Sequence, residues 1–132
     1  MEKPATYSAG FGEGRYRVEA VVIPCGRDLA ITVVGGTEPH IGAAVLAVPR
    51  PSLADAARSS ASASVLCVTG HKDDELARKA AVSLASALGC IVTVSAGIHV
   101  DNASPEDIKI LEQNFYNVLD QIKAMPKFRC RP

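Results

Sequence analysis

Apolar and polar residues alternate through the first half of the chain in the pattern that β-strands produce. Between residues 15 and 23 every second side chain is apolar, which predicts a strand with one face in the core. A turn rich in Pro and Gly at 24–28 leads to a β-branched run at 29–34, so the two runs are predicted to form a hairpin. The nearly continuous apolar run at 41–48 predicts a third strand, central in the sheet and covered on both faces.

The second half of the chain changes to helical spacing. A stretch rich in Ser, Ala and Pro at 49–63 predicts a long flexible connection, and it leads to a short strand at 65–68. Ala and Leu residues three and four apart at 73–88 predict a helix with acidic residues in its first turn. A fifth strand is predicted at 90–96, and a strand–helix–strand unit of this kind normally leaves its two strands parallel.

The last predicted element is a helix with a clear beginning. Ser104 is a hydroxyl cap, Pro105 takes the first helical position, and two acidic residues follow. Apolar side chains continue three and four apart as far as Met125, and Pro126 ends the pattern. We expect this stripe to pack on the sheet rather than in a coiled coil, because it covers fewer than about three heptads.

The order β-β-β-β-α-β-α predicts an α/β fold of the α+β kind, a two-layer sandwich with a mixed five-stranded sheet and its helices on one face. A chain of 132 residues suits a single domain, and its core is expected at about residues 14–125. We expect the first four strands to form an antiparallel meander. In that arrangement the second, fourth and fifth strands run in the same direction.

Composition excludes several classes of protein. Fourteen Lys and Arg residues balance fourteen Asp and Glu residues, so the basic excess typical of nucleic-acid-binding proteins is absent. No apolar run reaches the ~18 residues of a membrane span, and the first residues do not resemble a signal peptide. We therefore expect a cytoplasmic protein without a membrane or nucleic-acid partner. Cys67 and Cys90 lie in apolar strand-like runs and are expected to be buried free thiols.

All three histidines lie in predicted loops beside glycine, and carboxylates accompany them. If the strand directions are as expected, the three loops leave the same edge of the sheet. Imidazoles and carboxylates gathered there can hold a divalent metal with open positions for water or a ligand. The candidate metal ligands are His40, His71, His99, Glu38 and Asp101. The alternative is that these are ordinary loop side chains, since no H-x-H or H-E-x-x-H spacing brings two of them together locally.

The glycines of the same loops allow a second kind of site. Gly-rich turns expose backbone N–H groups that bind phosphate oxygens, and ligands of open α/β sheets commonly lie at the carboxyl ends of strands. The alternative is that Gly35, Gly36, Gly70 and Gly97 only end their strands.

Three ordered segments of the chain, residues 35–43, 70–77 and 97–103, resemble those of the LpdD-like prenylated-flavin chaperone family. The resemblance extends over about residues 14–125. It implies binding of prenylated FMN, or of FMN, and its storage, maturation or delivery to a prenylated-flavin-dependent aromatic acid decarboxylase of the gallate or protocatechuate type. The candidate flavin-binding residues in these loops are Gly35, Gly36, Thr37, Pro39, Gly70, His71, Lys72, Gly97 and Asn102.

The leading hypothesis is therefore a cofactor chaperone without a catalytic residue of its own. Aromatic residues make up only 5% of the chain, so a neighbouring subunit is expected to complete the flavin pocket in a homo-oligomer. A decarboxylase is the expected client, and a flavin prenyltransferase is a further candidate partner. Two alternatives stay open: a small metal-dependent enzyme in which the histidines activate water and Glu38 or Asp101 moves the proton, and a structural subunit that binds a decarboxylase through the last helix.

Overall fold

A computed structural model describes residues 5–68 and 73–128 of the chain. In these residues one six-stranded sheet is covered on one face by two helices, which confirms the predicted fold class with one more strand than expected. The strands are β1 (Tyr7–Phe11), β2 (Val18–Cys25), β3 (Asp28–Gly36), β4 (Ala43–Pro51), β5 (Ser59–Cys67) and β6 (Val92–His99). The helices are α1 (Asp73–Leu88) and α2 (Pro105–Ala124), and both begin at the residues that the sequence indicates.

The strand order is β1-β2-β3-β6-β4-β5, so the expected meander of consecutive strands is wrong. Strand β6 lies between β3 and β4, parallel to β3 and antiparallel to β4. Hydrophobic patterning determines which face of a strand is buried, but it carries little information on which strands are neighbours. The right-handed crossover rule does not determine neighbours either, and here β4 separates the two strands that α1 connects.

The strand directions are nevertheless those that the sequence predicts. Because β5 is antiparallel to β4, and β4 is antiparallel to β6, strands β3, β5 and β6 all run the same way. Their carboxyl ends therefore meet at one edge of the sheet, which we call the site edge. Both helices also begin there, since α1 follows β5 and α2 follows β6.

The predicted flexible connection at 49–63 is largely β-structure. Strands β4 and β5 form a long hairpin in which Arg50 Nε donates a hydrogen bond to Ser62 Oγ at 2.7 Å, and only residues 52–58 form the loop. The Ser and Ala residues of β5 have low β-propensity, and pairing with β4 overrides it. Because β5 is an edge strand, Cys67 is exposed rather than buried, whereas Cys90 is buried as expected.

The core lies between the sheet and the two helices. Alternate strand residues such as Val22, Val33 and Val94 are fully buried there, in one hydrophobic cluster with Leu84 of α1 and Phe115 of α2. The opposite face of the sheet, which we call the open face, has no helix over it in the described part of the chain. Strand β4 is therefore covered on one face only, contrary to the prediction from its continuous apolar run, and Leu46 and Val48 remain exposed.

Candidate functional site

Two of the three predicted histidine loops are described, and both lie at the site edge. His40 lies in the loop after β3, and His99 ends β6, with their ring centroids 6.4 Å apart. The third loop is residues 69–72, so the predicted roles of Gly70, His71 and Lys72 fall outside the described residues.

The His40 side chain bridges its own loop and the start of α1. Its Nδ1 lies 3.0 Å from the carbonyl oxygen of Glu38, and its Nε2 lies 3.0 Å from Oδ2 of the buried Asp73. The Glu38 carbonyl, and secondarily the Asp73 carboxylate, raise the pKa of His40, because both accept hydrogen bonds from the imidazolium form and so stabilise it. The second oxygen of Asp73 accepts the backbone N–H of Ile98 at 3.0 Å. Asp73 therefore joins the β3 loop, β6 and α1.

Sequence reasoning did not find this role of Asp73. Three consecutive acidic residues open α1, and the helix dipole accounts for all of them equally well. Only the burial of Asp73, which is 7% exposed, distinguishes it from its two neighbours. Burial of this kind depends on tertiary packing, so the local pattern carried no signal for it.

The beginning of the β3 loop is held against the end of β6 by backbone contacts. Gly36 has φ of +80°, and the N–H of Thr37 donates to the carbonyl oxygen of His99 at 2.8 Å. The N–H of Glu38 reaches the same oxygen at 3.4 Å, and the N–H of Gly36 donates to Arg17 O at 3.2 Å. The N–H groups of Gly36 and Thr37, two of the residues predicted to bind the flavin, thus already have partners within the protein, as does the N–H of Glu38.

Glycine is required where the two loops approach most closely. A Cβ at Gly97 would overlap the carbonyl oxygen of His40, and one at Gly42 would overlap the Asp73 carboxylate. Of the other predicted flavin-binding residues, Gly35 is buried within β3, while Pro39 and Asn102 are exposed at the site edge. Their contact with flavin remains a prediction.

Three of the five predicted metal ligands lie together. Ligand atoms of Glu38, His99 and Asp101 are all within 4.8 Å of one another, and His99 Nε2 lies 2.8 Å from Asp101 Oδ1. We call these residues the acidic–histidine cluster. His40 is adjacent to it, but the ring nitrogens of His40 face Glu38 O and Asp73 instead. An imidazole and two carboxylates are a donor set that suits a divalent cation with open positions.

The loop after β6 is anchored by the start of α2. Asn102 adopts a left-handed φ of 53°, and Ser104 forms a reciprocal capping box with Asp107. Asp107 also accepts hydrogen bonds from the Tyr16 hydroxyl at 2.6 Å and from Arg15 at 2.7 Å. The Tyr16 hydroxyl first, then the Ser104 N–H, hold the pKa of Asp107 well below its usual range. This network holds the first turn of α2, and with it the loop that carries Asp101, in place.

A groove of about 590 Å³ opens beside His99 on the helix side of the sheet. It runs between the first halves of α1 and α2, and we call it the α1–α2 groove. Its lining is mostly apolar, with a few charged side chains: Asp73, Glu75, Leu76, Lys79, Ile98, His99, Val100, Ala103, Ile108, Leu111, Glu112 and Tyr116.

The α1–α2 groove was not predicted from the sequence as a site. Ile108, Glu112 and Tyr116 are spaced four residues apart, so they lie along one side of α2. Ile108 is 49% exposed and Tyr116 39% exposed, although both are large apolar side chains. Helical spacing shows that such residues share a face, but it does not show that the face borders a cleft.

The fold and this edge together define a small α/β domain with a groove, two converging loops and a cluster of side chains suited to a cation. A family model described as the prenylated flavin chaperone LpdD-like domain matches residues 12–127. The chain therefore belongs to the LpdD-like prenylated flavin chaperone family, which confirms the resemblance drawn from its three loops.

Other comparisons define the fold only. A chain from the crystal structure of a chaperone complex for yeast 20S proteasome assembly superposes with a TM-score of 0.54 and 14% sequence identity. The match covers 89% of this chain and 91% of that chain. A search of curated proteins finds no match. In the described residues neither helix combines the length and apolar character needed to cross a bilayer.

Proposed function

We propose that this protein binds prenylated FMN in the α1–α2 groove and stores, matures or delivers it to a prenylated-flavin-dependent aromatic acid decarboxylase. Membership of the LpdD-like family supports the choice of ligand. The observation that carries the proposal is the groove itself, which opens at the edge where the strand order brings the β3 and β6 loops together. We place this activity in the cytoplasm, with the decarboxylase as client and a flavin prenyltransferase as a candidate donor of the cofactor.

The size and lining of the groove suit a flavin ring. Its volume of about 590 Å³ falls within the range of small-molecule and cofactor sites. Leu76, Ile98 and Ile108 offer apolar surface to the ring and the prenyl-derived carbons. Tyr116, 39% exposed at the groove, is the aromatic side chain there on which an isoalloxazine can stack.

Acidic side chains outnumber basic ones at the groove, so the phosphate end of the cofactor needs a cation there. Asp73, Glu75 and Glu112 line the groove together with Lys79, whose Nζ lies 3.5 Å from Glu75 Oε1, and His99 lies both in its wall and in the acidic–histidine cluster. A divalent cation held by Glu38, His99 and Asp101 would bind a phosphate oxygen at its open position and balance the carboxylates. Pro39 lies beside the same cluster and is proposed to contact the ribityl part of the cofactor, whereas the N–H groups of Gly36 and Thr37 are already bonded within the protein and do not supply donors to the phosphate.

Replacing Tyr116 with alanine is expected to weaken flavin binding about tenfold, which corresponds to about 1.4 kcal/mol, because the stacking surface in the groove is lost. The measurement is a titration of FMN and prenylated FMN that follows the absorption and fluorescence of the flavin. Transfer to the client is measured in parallel, as activation of an apo-decarboxylase by the loaded protein.

Phe11→Ala is the matched control for this substitution. Phe11 is an aromatic residue exposed to a similar degree, at 44%, and it does not line the groove. We expect it to leave flavin affinity unchanged. If Tyr116→Ala and Phe11→Ala change flavin affinity equally, the flavin does not bind in the α1–α2 groove. If neither FMN nor prenylated FMN changes its spectrum on titration, the proposed function is wrong.

A divalent cation is expected to strengthen FMN binding but not riboflavin binding, because riboflavin lacks the phosphate. Asp101→Asn or His99→Ala should reduce the cation-dependent part of the affinity at least about tenfold, the low end for disturbing a ligand or its supporting group. The affinities for FMN and for riboflavin are measured with Mg²⁺ or Mn²⁺ present and again after a chelator is added. Asp55→Asn, which removes a carboxylate from the 52–58 loop, is the control. If riboflavin responds to the cation as strongly as FMN does, the cation does not bridge to the phosphate.

A further inference from the structure

The open face of the sheet exposes more apolar surface than the functional site uses. Val21 of β2 is 44% exposed, and on β4 Leu46 and Val48 are 43% and 44% exposed. Leu66 of β5, which pairs with Ala44 and so shares this face, is 78% exposed. These side chains extend across the sheet from β2 to the β5 edge, which makes them one continuous surface rather than isolated residues.

The centre of the open face contains a parallel strand pair. Strands β3 and β6 pair over their full length in an otherwise antiparallel sheet, and antiparallel sheets that leave a face to solvent normally carry polar side chains on it. Here Thr32, Thr93 and Ser95 carry small side chains over the exposed side of this pair. Such side chains let a second layer approach closely.

Charged side chains are confined to the ends of the open face. Glu19 on β2 lies towards the site edge, where it pairs with Arg17, and Arg50 on β4 lies at the opposite end. Between these ends the outward positions of the described strands carry only apolar or hydroxyl side chains. A surface that is charged at its ends and apolar at its centre resembles a protein interface more than a solvated sheet face.

We propose that the open face is the interface of a homodimer in which two copies of this chain pack sheet against sheet. Five strands of eight or nine residues give each copy a face of about 24 Å by about 27 Å, so two copies cover about 1,300 Å², within the range of specific interfaces. Because the centre carries no charge, packing the face on its own copy about a two-fold axis brings no like charges together there. The α1–α2 groove lies on the opposite side of each sheet, so this interface leaves it accessible, and in this dimer the partner copy does not complete the flavin pocket as the low aromatic content led us to expect.

The test is the mass of the full chain in solution, measured by sedimentation velocity and light scattering at micromolar concentration. We expect the wild-type protein to have twice the 13.8 kDa of a single chain. Leu46→Lys, and separately Thr93→Lys on the neighbouring strand, should weaken dimerisation at least about tenfold, because each would bury a charge in an apolar interface. Leu46 and Thr93 are both exposed in a single copy of the chain, so a lysine at either position is compatible with the fold. Circular dichroism confirms that each variant is folded.

Leu53→Lys is the matched control, since Leu53 is 91% exposed but lies in the 52–58 loop, away from the open face. It should remain dimeric. A monomeric wild-type protein overturns the proposal, as does a dimer that survives both lysine variants. If the wild-type protein is monomeric and Leu46→Lys also abolishes activation of the decarboxylase, the open face binds the decarboxylase rather than a second copy of this chain.

Discussion

Replacing Asp73 with alanine is expected to destabilise the protein by about 3 kcal/mol, because it removes two charge-assisted hydrogen bonds from a buried position. One carboxylate oxygen accepts the N–H of Ile98, and the other faces Nε2 of His40. Both partners are partly shielded from water, so they do not regain full hydration when the carboxylate is lost. Chemical denaturation, with the slope of the transition checked against wild type, measures the change in the free energy of unfolding.

Asp74→Ala is the matched control, because Asp74 lies in the same first turn of α1 but is only half-buried. Loss of the Asp74 carboxylate should lower the free energy of unfolding by no more than about 1 kcal/mol, the typical energy of a carboxylate's interaction with the helix dipole. Asp73→Asn should fall between the two, since an amide oxygen can still accept the Ile98 N–H. If Asp73→Ala is as stable as Asp74→Ala, Asp73 does not join the three elements.

The Asp73→Ala substitution also tests the proposed cation site. Without Asp73, the His40 loop loses its anchor to α1, and Glu38 lies in that loop. We expect the cation-dependent part of FMN affinity to fall in Asp73→Ala even at temperatures where the variant is folded. In Asp74→Ala it should stay at the wild-type value.

Local patterns predicted those elements whose stability depends mainly on burial of one face. The helices α1 and α2 begin and end where spacing, caps and Pro126 indicate, because these signals lie within the element itself. The local pattern does not indicate β1 and indicates only the end of β5, because both are edge strands with few or no β-branched residues. Their structure depends on pairing with β2 and β4, which no local signal reports.

The candidate site could be predicted in part for the same reason. The strand directions predicted from an antiparallel meander hold although β6 separates β3 from β4, because β6 is parallel to β3 and antiparallel to β4. These directions are sufficient to bring His40 and His99 to one edge. The grouping of Glu38, His99 and Asp101, the burial of Asp73 and the α1–α2 groove depend on side-chain packing between elements distant in the chain. A single sequence contains no periodicity that reports such contacts.

The close packing of the β3 loop on β6 explains why Gly36 is needed. Gly36 has φ of +80°, a conformation that costs other residues about 1–2 kcal/mol. A Cβ at this position would also overlap the backbone carbonyl of His99, the group that accepts the N–H of Thr37. Because that carbonyl belongs to the end of a central strand, it cannot move aside as a flexible side chain does.

Gly36→Ala is therefore expected to destabilise the protein by about 3 kcal/mol, the sum of the conformational cost and the backbone overlap. Gly26→Ala separates the two contributions: Gly26 also has a positive φ, +63°, but nothing lies within 4 Å of its Cβ position. This control should cost only about 1 kcal/mol by the same denaturation measurement. Cation-dependent FMN binding should weaken in Gly36→Ala and not in Gly26→Ala, because displacing Thr37 and Glu38 opens the acidic–histidine cluster. Equal destabilisation by the two substitutions would show that the β3 loop can move away from His99, and the cluster would then not be held in place by the fold.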